Sequence, residues 1–471
     1  MLFNTIQFAF FFALVWLLYR IAPSNRRNSL LLGASFIFYL LWIPSYFLLL
    51  LIDLAVNYAL MRSMLRSTRP KLFLFASVAF TLALLGYFKY AAMLAETLLP
   101  LLSSGFGWAP GVPDIFLPLG ISFYSFQIIA LSVDVYRRNL EPVESFGRYA
   151  LFISFFPQLI AGPILRGHEF LGQLEYGGTM NRARTRRGLW LISSGLVKKV
   201  ILADFLLAPF VDEVYGVPAI ASAPFLLIAT YSFAFQIYFD FSGYSDIARG
   251  LALLFGFELP LNFEEPYLSR SPAEFWRRWH ITLSRWLRDY LFVPLSDSRG
   301  AARAVGALFI TMFLGGLWHG AQWTFALWGM YHGGLLILHR ICSRPLTRIA
   351  PAAGFARKLW DGLCVVATFQ MICVGLTIFR AATYDDALTI LGGLSSAGYG
   401  NGWPAMQSGL VLLCIALHFF ERTVRVRLPE IHRVAANHRA GTLIEGAAMG
   451  AIVALVIAAS GSGGEFIYFQ F

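Results

Sequence analysis

The sequence predicts an all-α polytopic membrane protein with about 11–12 transmembrane helices, together with re-entrant and interfacial helices around a central tunnel. Two observations support this class. Of the 471 residues, 58% are hydrophobic and only 13% are charged, and the mean hydropathy is +0.64. A soluble domain cannot bury so much apolar surface. The apolar residues also form long runs separated by basic loops, which is the pattern of helices that cross a bilayer repeatedly.

Apolar runs along the chain are the candidates for membrane-spanning helices. Several are shorter than the roughly 20 residues that a straight crossing needs, which predicts tilted or broken helices. A further run at 149–165 begins and ends beside arginines and predicts a re-entrant segment. The candidate spans are residues 5–19, 30–44, 45–61, 72–95, 115–136, 189–210, 222–241, 304–317, 321–339, 361–379, 407–421 and 443–460.

The loop charges predict the orientation of these spans. The formal net charge is +11, yet the segments 96–113, 211–221, 384–406 and 461–471 contain neither Lys nor Arg. The positive-inside rule places the basic loops in the cytoplasm and these four segments outside, with both chain termini outside. We therefore interpret the positive charge as topological, with some attraction to anionic lipid, and we expect no nucleic-acid partner.

A single membrane domain is predicted over residues 1–471, because no internal repeat or long linker interrupts the chain. The segment at about 243–303 departs from the spanning pattern and is expected on the cytoplasmic side or in the interface. Within it, Ser271, Pro272 and Glu274 indicate a helix start. The following residues, 275–295, place aromatic and arginine side chains on opposite faces, which predicts one amphipathic helix along the interface.

Histidines in apolar surroundings are the strongest indication of function. His319 and His332 lie in a run, 304–338, that contains no Asp, Glu, Lys or Arg, and His280 falls on the apolar flank of the predicted interfacial helix. An ionisable side chain at membrane depth is costly to place and marks a site. Imidazole is also suited to proton transfer near neutral pH. Packing against a neighbouring helix is the alternative for each histidine.

Two further segments combine helix breakers with polar side chains. Residues 118–127 contain Ser122 and Gln127, and residues 155–163 contain Gln158. Irregular backbone at membrane depth is tolerated where it lines a cavity, so we expect a polar tunnel; hydrogen bonding between helices is the alternative. The sequence has no Gly-rich phosphate loop, HExxH or GxSxG motif. Histidine base catalysis in a water-poor channel, with a hydroxyl attacking an acyl thioester, remains the chemistry that the residues support.

The segments FWRRWHITLSRWLRDYLFVPL at 275–295 and GGLWHGAQWTFALWGMYHG at 315–333 together resemble the membrane-bound O-acyltransferase family. Residues 118–137 and 156–164 are similar to its bacterial branch. The closing GEFIYFQF at 464–471 most resembles the members that acetylate alginate or cellulose. The resemblance extends over nearly the whole chain.

The resemblance implies roles for individual residues. His319 matches the family's catalytic histidine and is expected to act as general base, and His280 matches the second signature position and is expected to support it. For His332, packing on the helix face shared with Trp328 and Leu335 is a rival interpretation. The residues expected to line the substrate tunnel or bind the donor are Trp318, Gln127, Ser122, Gln158, Trp279, Arg277 and His332.

The resemblance further implies a reaction and its partners. An acetyl group would pass from a cytoplasmic thioester donor, acetyl-CoA or an acyl carrier protein, across the bacterial inner membrane. It would reach a periplasmic, esterase-like acceptor protein that serves O-acetylation of an exopolysaccharide of the alginate type. We expect no bound cofactor and no metal. The basic cytoplasmic face suits the donor's phosphates, although positive-inside topology alone would also produce it.

Two other classes of function remain open from the sequence. A transporter or flippase would use His319 as a proton relay, and broken helices and buried acids fit that class. Against it, no inverted repeat is visible, and the Trp/His/Arg-rich segment would be unexplained. A non-catalytic scaffold for a polysaccharide export complex is the third class. Replacing His319 by Ala discriminates between them, because a scaffold should keep working whereas an acyltransferase should lose turnover without losing its fold. Thioester consumption by the purified protein separates an enzyme from a transporter.

Overall fold

The computed structural model describes residues 3–106, 112, 115–160, 162–296, 300–395, 402–436 and 439–459. Helices make up 83% of the structure, and the described residues contain no β-strand. The predicted all-α class is therefore confirmed. The closing segment 464–471, which carried part of the family resemblance, lies outside the described residues.

The described residues form α-helices joined by short turns. Two π-helical stretches, Val197–Leu207 and Arg288–Phe292, continue or connect them. The α-helices are α1 (Ile6–Ile21), α2 (Ser24–Leu40), α3 (Pro44–Arg66), α4 (Pro70–Phe106), α5 (Ile121–Tyr136), α6 (Phe146–Ser154), α7 (Phe156–Leu159), α8 (Gly167–Tyr176), α9 (Arg182–Leu196), α10 (Ala208–Gly216), α11 (Ala223–Leu254), α12 (Pro272–Arg278), α13 (Ile281–Leu287), α14 (Val293–Ser296), α15 (Ala301–His319), α16 (Trp323–Ile349), α17 (Gly354–Arg380), α18 (Tyr384–Leu394), α19 (Ala405–Ala436) and α20 (Arg439–Ala459).

Within the described ranges, 6 helices are long and apolar enough to cross a membrane. They lie in α3, α4, α11, α15, α17 and α20, and α1 and α5 are shorter apolar helices. The expected number of eleven or twelve spans also counts helices such as α2 and α19, which do not meet this criterion, so that number stays a prediction. The predicted pair of spans at 304–317 and 321–339 corresponds to α15 and α16.

The structure corrects the sequence prediction for residues 243–303 in two places. Helix α11 continues to Leu254, so the non-spanning segment begins twelve residues later than predicted. The predicted single amphipathic helix over 275–295 is wrong, because the chain breaks between α12 and α13 at His280, whose φ is +42°. The backbone of a neighbouring loop takes over the hydrogen bonds there: Ile281 N–H donates to the Asn262 carbonyl at 2.9 Å, and Glu264 N–H donates to the Arg278 carbonyl at 2.9 Å.

The predicted start of the helix before this break is confirmed. The hydroxyl oxygen of Ser271 accepts a hydrogen bond from the backbone N–H of Glu274 at 3.2 Å, and Pro272 is the first residue of α12. A capping serine satisfies a backbone donor that has no partner within the helix. This cap therefore sets where α12 begins and which of its residues face inward.

The chain divides into two compact units: Met1–Leu189 with Ala248–Pro260, and Trp190–Ile247 with Leu261–Phe471. The single domain expected from the sequence stays a prediction. The first unit has an aromatic core in which Phe38 of α2 packs against Phe8 of α1 and Phe156 of α7, with ring centroids 6.0 and 5.8 Å away. Such packing buries large apolar area where three helices meet.

A buried polar network also joins helices within the first unit. The Asn57 side-chain amide of α3 donates to Asp53 at 2.7 Å and to Thr81 of α4 at 3.1 Å. The hydroxyl of Ser77 donates to the Asn57 carbonyl oxygen at 2.6 Å and lies 3.1 Å from the hydroxyl of Ser132 in α5. Hydrogen bonding between helices, the alternative interpretation of such residues, accounts for this group.

In the second unit, α15 and α16 form a close antiparallel hairpin. A β-carbon on Gly316 would lie 2.3 Å from the backbone oxygen of Phe325, and one on Gly329 would lie 2.4 Å from the backbone oxygen of Met312. Only glycine permits this approach of the two backbones. The contact places His319, the last residue of α15, against the first turns of α16.

Candidate functional site

His319 is enclosed by aromatic rings from three helices. Its side chain is 4% exposed. The imidazole meets Trp318 of α15, Trp328 of α16 and Phe379 of α17 in edge-on contacts, with centroid distances of 5.1, 5.0 and 5.6 Å. The aromatic shell removes water from the ring and fixes its position. His319 is thus buried among aromatic rings, and its role as a site residue stays a prediction.

His332, like His319, packs against Trp328. Its ring centroid is 4.7 Å from Trp328 and 5.2 Å from Trp276 of α12. Its Nδ1 is buried and has no hydrogen-bond partner among the described residues, and its Nε2 faces Gly375 of α17. A buried polar atom without a partner is costly and calls for an explanation. Packing therefore fixes the position of the His332 ring but leaves its Nδ1 without a hydrogen bond.

Both histidines line one small cavity. The space open to the centre of a water molecule is about 10 Å³, which is room for roughly one water. Its wall is almost entirely apolar, so polar groups on it are restricted to the histidines and the indole nitrogens. The lining residues are Ile237, Phe275, Trp279, His319, Trp328, His332, Ile372, Leu376 and Phe379.

His280 lies beside this cavity, at the break between α12 and α13. Its side chain is fully buried. The ring centroid is 6.5 Å from that of His319 and 5.8 Å from that of Trp318. Nδ1 lies 3.1 Å from Oδ1 of Asn262. Burial lowers the pKa of His280 to about 3, so this imidazole is neutral at physiological pH.

The structure thus brings His280, His319, His332, Trp279 and Trp318 together, as the sequence predicted for one site. Trp279 lines the cavity and is 3% exposed, and Trp318 is 4% exposed and contacts both His280 and His319. These residues come from α15, α16 and the link between α12 and α13.

The remaining predicted tunnel residues lie elsewhere. Ser122, Gln127 and Gln158 belong to the first compact unit. There the Gln158 amide donates to the Gln127 carbonyl oxygen at 3.1 Å, and the ammonium of Lys89 donates to the hydroxyl of Ser122 at 3.4 Å. Arg277 is exposed and is absent from the cavity wall. A tunnel role for these four predicted residues stays a prediction.

Sequence reasoning missed a polar network centred on Glu421 of α19. The carboxylate accepts from the ammonium of Lys198 and, at 2.5 Å, from the hydroxyl of Tyr238. Nδ1 of His418 lies 3.4 Å away from it, and Lys198 also bonds Asp246 at 2.9 Å. The available signal was weak, because Glu421 sits at the end of a predicted span, next to a basic cluster, where a charge is ordinary.

A second ion cluster explains another buried acid. Asp240 of α11 pairs with the ammonium of Lys199, which also contacts Asp204 at 2.8 Å. Both carboxylates come from helices of the same unit as Lys199. The pairing of Asp240 with Lys199 indicates a structural role for this acid.

The fold is that of an all-helical protein with several apolar helices long enough to cross a membrane, and it carries a cluster of buried histidines. The model of the MBOAT, membrane-bound O-acyltransferase family matches residues 131–382, a range that contains His280, His319 and His332. The chain belongs to the membrane-bound O-acyltransferase family. It is accordingly an O-acyltransferase bound to the membrane through several passes.

Relatives with curated names agree with this assignment. The chain is 39% identical over 408 residues to the probable alginate O-acetylase AlgI of Azotobacter vinelandii, which covers 84% of this chain and 79% of that protein. It is 38% identical over 437 residues to the protein of the same name from Pseudomonas aeruginosa, covering 89% and 81%. The peptidoglycan O-acetyltransferase of Helicobacter pylori is 36% identical over 433 residues, covering 84% and 80%.

Proposed function

We propose that this chain moves an acetyl group from a cytoplasmic thioester donor, acetyl-CoA or an acyl carrier protein, across the inner membrane to a hydroxyl of a periplasmic acceptor, with His319 as general base. The observation that carries the proposal is the position of His319 on the wall of a small, largely aromatic cavity, with the ring of a second buried histidine, His280, centred 6.5 Å away. A neutral imidazole in dry surroundings is a competent base for a hydroxyl.

The proposed step balances as follows. A nitrogen of His319 accepts the hydroxyl proton while the hydroxyl oxygen bonds to the thioester carbonyl carbon. The carbon–sulfur bond then breaks, the acetyl group stays on the oxygen, and the thiolate takes the proton back from His319 to leave as a thiol. The cavity admits about one water molecule, and exclusion of water favours transfer over hydrolysis of the thioester.

The other site residues take supporting roles in this proposal. His280 and Trp318 pack beside His319, and Trp279 and His332 share the cavity wall with it, where the thioester would lie. Exposed Arg277 would meet the phosphates of the donor. Polar side chains of the first unit would line the route of the substrate; they are Ser122, Gln127 and Gln158.

The names of the relatives suggest the final substrate. Two are probable alginate O-acetylases and one is a peptidoglycan O-acetyltransferase. We infer that the acetyl group serves O-acetylation of an exported, alginate-type polysaccharide through an esterase-like periplasmic protein. The proposed orientation has both termini in the periplasm, and the loops 211–221 and 384–406, which contain no Lys or Arg, support it.

The test is acetyl release from radiolabelled acetyl-CoA by detergent-purified protein, with and without the periplasmic acceptor. We expect acceptor-dependent release by the wild type and a loss of about 10²- to 10⁴-fold for His319→Ala. His339→Ala is the matched control, because His339 lies on α16 two turns beyond His332 and outside the cavity wall. It should retain wild-type turnover.

Other outcomes separate the alternatives. If only an acyl-loaded carrier protein supports release, then the donor is the carrier. If monodisperse wild type consumes neither thioester in the presence of acceptor, acyl transfer is wrong and the transporter with His319 as proton relay is favoured. Equal turnover by wild type and His319→Ala would remove His319 from the mechanism.

A further inference from the structure

Asn262 contacts His280 through both its backbone and its side chain. It lies in the link between α11 and α12 and is 1% exposed. Its Oδ1 is 3.1 Å from Nδ1 of His280 and accepts from the backbone N–H and the hydroxyl of Thr282 at 3.3 and 3.0 Å. Its Nδ2 donates to the hydroxyl of Ser245 at 3.3 Å. All four residues belong to the second compact unit.

These contacts determine the tautomer of His280. The backbone N–H of Thr282 can only donate, so the amide atom of Asn262 that it meets is the oxygen. That oxygen can only accept, and Nδ1 of His280 therefore carries the hydrogen. In a neutral imidazole the other nitrogen, Nε2, then has a lone pair and no hydrogen.

The backbone of Asn262 supports the same arrangement. Its carbonyl oxygen accepts from the N–H of Ile281 at 2.9 Å, directly after His280. The left-handed backbone of His280, with φ +42°, is unfavourable for a residue with a β-carbon and persists only where its surroundings impose it. The break between α12 and α13 therefore sets the orientation of the His280 ring.

The lone pair of His280 has no partner in the described parts of the protein. Nε2 is buried without a hydrogen bond, which is costly in a folded protein. The centroid separation of 6.5 Å from His319 is too long for a direct hydrogen bond between the two rings. Nε2 thus offers an acceptor beside the proposed general base.

We propose that Asn262 is a positioning residue, which holds His280 with Nδ1 protonated so that Nε2 accepts a hydrogen bond from a hydroxyl or amide N–H of a substrate bound beside His319. The proposal rests on the proposed acyl-transfer function. Two substrates carry such groups, the acyl acceptor with its hydroxyl and the thioester donor with the amides of its arm.

The pH dependence follows from the surroundings of His280. The titratable group that faces its ring is His319; the other neighbours in ring contact are Phe241, Phe263 and Trp318. A carboxylate at position 262 would stabilise the imidazolium and raise the pKa of His280. Nε2 accepts a hydrogen bond only in the neutral form. The acidic limb of activity should consequently move to higher pH in Asn262→Asp.

The experiment compares kcat, KM and pH profiles of acetyl transfer for three variants. Asn262→Leu removes the oxygen that accepts the hydrogen bond from Nδ1 of His280. It should lower kcat by about 10- to 100-fold, which is the loss typical when a residue that orients a histidine is replaced. Asn262→Asp should regain part of this loss at high pH. Ser245→Ala, which touches only the Nδ2 side of Asn262, should keep the wild-type profile. Thermal melting and gel filtration of each variant control for misfolding.

The KM values of Asn262→Leu show which substrate, the thioester donor or the acyl acceptor, forms the hydrogen bond with Nε2 of His280. A higher KM for the donor in Asn262→Leu, at unchanged KM for the acceptor, assigns the hydrogen bond to the thioester arm; the reverse assigns it to the acceptor hydroxyl. A folded Asn262→Leu protein with the kcat, both KM values and the pH profile of the wild type would overturn the proposal.

A readout that needs no turnover separates the proposal from the proposed function. The ¹⁵N chemical shifts of His280 in histidine-labelled protein, assigned with His280→Gln, report which nitrogen carries the hydrogen. We expect a protonated Nδ1 in the wild type and a shift toward protonated Nε2 in Asn262→Leu. A protonated Nε2 in the wild type would contradict the role of Asn262 even where the enzyme is active. The expected shifts in an inactive wild type would leave the tautomer established and reject acyl transfer.

Discussion

His332 turns its Nε2 toward Gly375 of α17, a position without a side chain. A β-carbon built on Gly375 would lie 2.8 Å from that nitrogen and 3.2 Å from the ring of Tyr331. A separation below 3 Å requires one of the groups to move. The position of this cavity histidine therefore depends on a glycine 43 residues further along the chain.

Gly375→Ala should displace the His332 ring and lower acetyl transfer by about tenfold or more, since small shifts of a substrate contact are costly. The matched control is Gly362→Ala on the same helix, where the added β-carbon meets no atom within 4 Å. It should be neutral or up to about 1 kcal/mol stabilising, because alanine favours helix. Turnover and thermal melting of both proteins check this, and equal turnover would contradict it.

Gly329→Ala should separate α15 from α16 and destabilise the protein by about 1–3 kcal/mol or more. The added β-carbon would lie 2.4 Å from the Met312 backbone oxygen and 3.1 Å from the α-carbon of Gly316, and neither atom can rotate away. His319 should move with the end of α15, so activity should fall as well. Gly334→Ala on the same helix meets open space; the midpoint of thermal unfolding should separate the two variants clearly.

Glu421→Gln should destabilise the protein by about 1–3 kcal/mol, because it leaves the ammonium of Lys198 with one carboxylate fewer in a largely buried network. The side chains of Lys198 and Glu421 are 16% and 23% exposed. Asp212→Asn breaks a surface pair with Arg380 in which the acid is 60% exposed, and should cost less than about 1 kcal/mol. Equal losses in thermal or denaturant unfolding would show that the Glu421 network contributes little.

Glu274 should make a pH-dependent contribution to stability. Burial raises the pKa of Glu274, but hydrogen bonding from the backbone N–H of Arg270 and the guanidinium of Arg278 outweighs burial and holds the pKa below its usual value. A carboxyl group whose pKa is lower in the folded protein stabilises the folded state at pH values above its unfolded-state pKa. This stabilisation is lost as the pH falls through the folded-state pKa. Glu274→Gln should therefore cost about 0.5–1 kcal/mol at pH 7.

The check is the difference in unfolding temperature between wild type and Glu274→Gln at pH 7 and below pH 4. We expect the difference to shrink toward zero in acid. A constant difference across this range would mean that the carboxylate charge is not the cause. Ser271→Ala provides a comparison, because its hydroxyl caps the same helix without a charge, and its cost should not vary with pH.

Much of the site was predictable from local sequence. His280, His319, His332, Trp279 and Trp318 were expected at one site; the structure places Trp279, His319 and His332 on the wall of one small cavity, with His280 and Trp318 beside His319. The signal was the rarity of ionisable groups within apolar runs, which can be read from a few contiguous residues. The rest of the predicted tunnel residues gave the same kind of signal but lie outside this cavity, because a polar residue in an apolar helix also serves helix packing.

The sequence by itself determined the helical membrane class, most helix positions and the burial of the histidines, because hydrophobicity and its period are properties of neighbouring residues. Only the tertiary structure decided that the chain breaks at His280, that Asn262 holds its Nδ1, and that Glu421 meets Lys198. These features depend on pairs that are 18 and 223 residues apart. A contact across such a separation arises from the packing of whole helices, and helix periodicity carries no information about it.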